Sequence, residues 1–146
     1  MPFKLDANRY KAEYRKETAM PDIWIRTDGN EKIATGHLMR CLSIARACAN
    51  QGKHVCFLTA DAQSESLLRE RFTSPSEFEI QCLHSDYQDM EKELPALERI
   101  LQADHASSER ILQKGAAWIL IDSYYVTASY LKTLKQVMPL LMISLM

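Results

Sequence analysis

Short apolar runs alternate with segments of helical periodicity along most of this chain, and that alternation constrains the fold more than any other feature. Ile23-Trp24-Ile25-Arg26, Val55-Cys56-Phe57-Leu58-Thr59 and Trp118-Ile119-Leu120-Ile121-Asp122 are brief and densely apolar, as buried strands are. Phe78, Ile80 and Cys82 alternate with Glu79 and Gln81, which predicts a half-exposed strand near a sheet edge. Leu140 to Leu145 reads as a last strand. Between these runs, residues 36–51 carry Leu38, Leu42, Ala45 and Ala49 on one helical stripe, and Gly52 supplies the stop. Residues 62–72 suit a helix with Leu67 and Leu68 inward; 89–101 and 104–114 suit one broken helix or two, closed by Gly115. A helix over 127–137 has Thr127 as its N-cap.

Strands separated by helices form β-α-β units, which require a parallel sheet covered on both faces. The fold class expected is therefore α/β, a Rossmann-like sheet in the order 3-2-1-4-5. Ligands of such sheets bind beyond the carboxyl ends of the strands, where the strand order reverses. That confines the functional search to residues 26–40 and 122–127, the loops after the first and fourth strands.

With 146 residues, 47% of them apolar, the chain can bury the core of one domain, assigned to residues 21–146. Residues 1–20 read as an extension: Lys4, Arg9, Lys11, Arg15 and Lys16 outnumber its acids, and Tyr10 and Tyr14 stand one helical turn apart. A docking arm is the functional alternative for that segment. The net charge of −1 lacks the cationic footprint of a nucleic-acid binder. No apolar run approaches the roughly 20 residues of a membrane span, and no secretory signal is evident. Cys41, Cys48, Cys56 and Cys82 form no C-x-x-C pair and read as small core hydrophobes, reduced in a cytoplasmic setting.

The first loop, Arg26 to Arg40, has neither the glycine spacing of a dinucleotide fingerprint nor a Walker lysine. Gly36 permits close backbone approach or an unusual φ/ψ before the helix. His37 then falls in the first helical turn, where the helix dipole disfavours a protonated ring and suits a general base. Arg40 lies one helical step on, in a turn where a cation costs about 0.3–1 kcal/mol unless an anion answers it. Asp28, Glu31 and a ligand phosphate are the candidates for that anion. Spacing alone equally allows His37 as a capping or surface residue, and Asp28 and Asp122 as helix caps or partners of a nearby arginine.

The run Arg26-x-Asp28-Gly29-Asn30-x-x-Ile33-x-x-Gly36-His37-x-x-Arg40-Cys41-Leu42-x-x-Ala45 resembles the N-terminal signature of a family of nucleotide-sugar hydrolases. Its type activity is that of UDP-2,4-diacetamido-2,4,6-trideoxy-β-L-altropyranose hydrolase, in pseudaminic acid biosynthesis, and it includes proteins of spore-coat polysaccharide synthesis. Asp122-Ser123-Tyr124 is similar to the family's Asp-x-Tyr segment after the fourth strand. The resemblance implies the N-terminal half of a GT-B-like, two-domain architecture. It implies His37 as the base that activates water for attack on the anomeric carbon, with UDP leaving and configuration inverting. It places Arg26, Asp28, Gly36, Arg40, Asp122 and Tyr124 around the UDP-sugar and involves no metal or other cofactor.

Two departures stand out. Ala34 occupies a position where the family usually has glycine, and the chain ends Ile143-Ser144-Leu145-Met146 without the family's acidic pair or its UDP-binding C-terminal domain. The expectation is a catalytic-base domain nearly inactive alone, binding UDP-sugar weakly, with an apolar interdomain face prone to self-association. The alternatives are the acceptor-binding domain of a glycosyltransferase and a non-catalytic interaction module.

Overall fold

The computed structural model describes residues 21–30, 33, 35–105 and 115–146, with residues 102–105 described as backbone only. The extension assigned to 1–20, Glu31, Ala34 and nearly all of the helix expected over 104–114 lie outside the described residues.

Five parallel strands form one sheet: β1 (Ile23–Thr27), β2 (Val55–Thr59), β3 (Glu79–Cys82), β4 (Trp118–Asp122) and β5 (Met142–Leu145). Their order is β3-β2-β1-β4-β5, the α/β Rossmann-like arrangement expected from the sequence. Four helices flank the sheet among the described residues: α1 (Gly36–Asn50), α2 (Ala62–Arg69), α3 (Leu94–His105) and α4 (Ala128–Val137).

The period-2 alternation of the strands divides the core in two. Ile25, Val55 and Phe57 point to one face and pack with Leu38, Cys41, Leu42 and Ala45 of α1 and Leu68 of α2. Trp24, Cys56, Leu58, Ile119 and Ile121 point to the other and meet Leu97 and Leu101 of α3 with Tyr130 and Leu134 of α4. Each large apolar side chain fully enclosed this way contributes about 1.5–3 kcal/mol, so both faces of the sheet are held independently of any ligand. Among the described residues no helix is long and apolar enough to cross a membrane.

The local signals explain most element ends. Thr127 accepts from Tyr130 N and Asp61 from Ser64 N, each a side-chain cap worth about 1 kcal/mol. Gly52 (φ +80) and Gly115 (φ +76) adopt left-handed backbone that glycine tolerates, the first directly after the end of α1.

Three boundaries and one buried stripe differ from expectation. Pro95 has no N–H to give, so α3 starts at Leu94, behind a 3₁₀ turn over Met90–Glu93. Helix α2 stops at Arg69 because the chain tightens there, turning Phe72 onto Phe57 and Phe78. Strand β5 starts at Met142 rather than Leu140, because the turn ending at Leu141 N to Met138 O brings Met142 opposite Trp118. Ala49 is exposed, and Cys41 takes a place on the buried stripe of α1.

Candidate functional site

The sheet order reverses between β1 and β4, and their last residues, Thr27 and Asp122, pair side by side. Helix α1 begins just beyond them. Its first residues therefore stand over the carboxyl end of β4, and residues 37, 40 and 41 share the face turned toward it.

Asp122 is the point on which that face converges. Its Oδ1 accepts from His37 Nδ1. Arg40 Nη2 lies 2.9 Å from each carboxylate oxygen and Nε 3.2 Å from Oδ2. Cys41 Sγ donates to Oδ2 at 3.4 Å. Burial works to raise the pKa of this carboxyl group, but the hydrogen bonds from Arg40 and His37 outweigh it and hold Asp122 below the ordinary carboxylate range. An ionised carboxylate only accepts, so the proton of the His37–Asp122 bond sits on Nδ1. Arg40 Nη2 also approaches Nδ1, to 3.2 Å. Both nitrogens are then donors to one oxygen, and that approach is proximity rather than a further bond. In the neutral ring the lone pair is then on Nε2, the nitrogen able to accept a proton.

Among the described residues the anion that answers Arg40 is thus Asp122, not Asp28. Sequence spacing could not rank these carboxylates, because β4 reaches the first loop only through the sheet. Helix α1 has no acidic residue in its first turn and no side-chain cap at Thr35.

His37 is nearly enclosed, and the ring of Tyr124 stands edge-on to it with centroids 4.6 Å apart at 90°. Tyr124 itself is 78% exposed. Asp28, His37, Asp122 and Tyr124 line one small recess with Tyr87 and Tyr125, about 210 Å³ counting the part open to solvent. Tyr87 and Tyr125 meet edge-on with centroids 5.6 Å apart, and Ser123 Oγ accepts from Tyr125 N to fix the turn after β4.

Arg26 is placed elsewhere. It is 0% exposed, and its guanidinium lies between two carboxylates: Nη1 donates to Asp28 at 2.6 Å, and Nε and Nη2 donate to Glu93 at 2.7–3.1 Å. Its role is to brace the first loop from beneath, which corrects its assignment to the substrate. Asp28 belongs to the same brace: its second oxygen accepts from Ala60 N at 2.8 Å, although the residue also borders the recess. Tyr130 Oη completes the buried cluster by donating to Glu93 at 3.1 Å.

Gly36 does not meet the conformational reason given for it. Its φ lies outside the left-handed region, and an added Cβ would find nothing within 4 Å. It is already the first residue of α1, in ordinary helical backbone facing open space.

Sequence reasoning passed over Glu93, Tyr130, Tyr87, Tyr125 and the polar role of Cys41. For Cys41 a signal existed, since it stands four residues after His37 and next to Arg40 on one helical face. For Glu93 none did, because its partner lies 67 residues away. Comparison with protein-family models, with curated proteins and with solved structures finds no match to this chain.

Proposed function

We propose that this chain is the catalytic-base domain of a nucleotide-sugar hydrolase, one that cleaves a UDP-sugar at the anomeric carbon with inversion. The observation that carries the reading is the hydrogen bond from His37 Nδ1 to Asp122 at the sheet's crossover point, with Tyr124 against the same ring. Asp122 fixes the tautomer and orientation of His37. Nε2 takes a proton from water as the oxygen bonds to the anomeric carbon. The bond from that carbon to the phosphate oxygen breaks at the same time, and UDP carries away the electron pair. A single displacement with one base on the face opposite the leaving group inverts configuration.

The recess supports this division of labour. Its enclosed space is only about 10 Å³, room for about one water and far short of what encloses a whole ligand. On this reading it holds the attacking water, the sugar lies at its open mouth, and a second α/β body supplies the nucleotide contacts. Exposed Met39, Tyr124 and Leu145 give such a body apolar surface to cover. The family tie rests on the Arg26-to-Ala45 run and on Asp122-Ser123-Tyr124.

The test is to join the chain to a UDP-binding α/β domain of that family and supply the UDP-sugar. UDP release with the product anomer inverted at first appearance, followed by NMR, is the expected result. Retention of configuration, or no release from a folded fusion that binds UDP, contradicts the proposal.

A further inference from the structure

Asp122 can orient His37 only while its carboxylate is kept from turning away. An ionised carboxylate offers about four lone-pair sites, and the described donors occupy both oxygens. Oδ1 accepts from His37 Nδ1 and Arg40 Nη2; Oδ2 accepts from Arg40 and from Cys41 Sγ. The two anchors on Oδ2 are unlike. The Arg40 side chain is 51% exposed on a long flexible stem. Cys41 is fully buried and set by a single rotatable bond against the helix that also carries His37.

We propose that Cys41 is a positioning residue that acts through Asp122: its S–H holds Oδ2, so that Oδ1 stays turned toward His37 even when Arg40 releases the carboxylate. This inference rests on the reading of His37 as the base. Burial pushes the Cys41 thiol up to about 12, so it stays protonated across neutral pH. A buried thiol that does not ionise is a poor nucleophile and a poor redox group, and donating a hydrogen bond is the chemistry left to it.

The experiment uses the full chain with Cys41→Ala and Cys41→Ser. Infrared spectroscopy of the wild type should show one S–H stretching band lowered in frequency by a carboxylate acceptor, and that band should vanish in Cys41→Ala. Long-range ¹H–¹⁵N NMR, at a pH where the ring holds one proton, should find His37 protonated on Nδ1 in the wild type and in Cys41→Ser. In Cys41→Ala the Nε2–H fraction should rise at least about threefold, the change expected from losing one modest hydrogen bond. An unchanged tautomer ratio in Cys41→Ala, or no lowered S–H band in the wild type, overturns the proposal; the band alone decides if Cys41→Ala does not fold. A wild-type His37 protonated on Nε2 would instead sink the general-base reading itself, whatever Cys41 does.

Discussion

His37 and Asp122, 85 residues apart in the chain, are joined through Nδ1 and Oδ1 where β1 and β4 run side by side. The bond needs three things at once. The sheet must place β4 next to β1, α1 must start immediately over the crossover point, and the carboxylate must remain ionised. Arg40 serves the last by pairing with the buried Asp122.

Asp122→Asn should uncouple the ring from its support. An amide can offer N–H as well as C=O toward Nδ1, so the tautomer with the basic Nε2 is no longer enforced, and Arg40 loses its counter-charge. Within the proposed hydrolysis the rate should fall on the order of 10²–10⁴-fold, the usual weight of a general base. UDP release measured beside a circular dichroism check of folding separates this effect from loss of structure.

The Arg26 brace makes its own prediction. Arg26 and Glu93 are both fully buried and joined by three hydrogen bonds. Removing Glu93 leaves the buried guanidinium with Asp28 as its one carboxylate partner and breaks a buried pair, at a cost of up to about 3–5 kcal/mol. Glu93→Ala should therefore lower the urea midpoint far more than Arg69→Ala, which breaks an exposed pair with Glu65 worth about 0–1 kcal/mol. Equal midpoints for the two variants would contradict the brace.

Acid should weaken the fold through two carboxylates. The hydrogen bond from Arg46 draws Glu77 down to about 2, and Asp122 is held below its ordinary value once its donors outweigh burial. A group depressed in the folded state stabilises fully above its unfolded value, near 4 for these side chains, and loses that contribution as pH falls through the folded value. Stability should be level above about pH 5 and decline from about pH 4 toward 2. Glu77→Gln should make the decline shallower in urea titrations, and an unchanged slope would remove Glu77 from the account.

Self-association follows from the proposed two-body architecture. Among the described residues β5 is an edge strand, and Leu140, Met142 and Leu145 on or beside it are exposed. Unpaired strand edges with apolar side chains recruit other chains, and a lysine on such an edge discourages pairing. Light scattering should show mass rising with concentration, and Leu145→Lys should reduce it. A monomer at every concentration would count against an uncovered face.

The fold was legible because its signals are local. Strand runs such as Val55 to Thr59, the Gly52 stop and the Thr127 cap each act within a few residues, and the β-α-β rule turns them into a sheet order. His37, Asp122 and Tyr124 were legible as positions at the crossover point. Their partners were not. Which carboxylate answers Arg40, and that Arg26 turns inward to Glu93, depend on side chains that the sheet brings together from distant segments. Tyr87 was missed for the same reason, since it reaches the recess from the segment after β3, whereas Tyr125 lies within the searched loop and was passed over beside Tyr124.

The most direct test of the account is the rate of UDP release by the chain joined to a UDP-binding domain, compared with its His37→Gln variant under identical conditions. The amide cannot take a proton from water, so release should fall by about 10²–10⁴-fold while UDP binding is unchanged. Release at the parent rate would contradict the role given to His37.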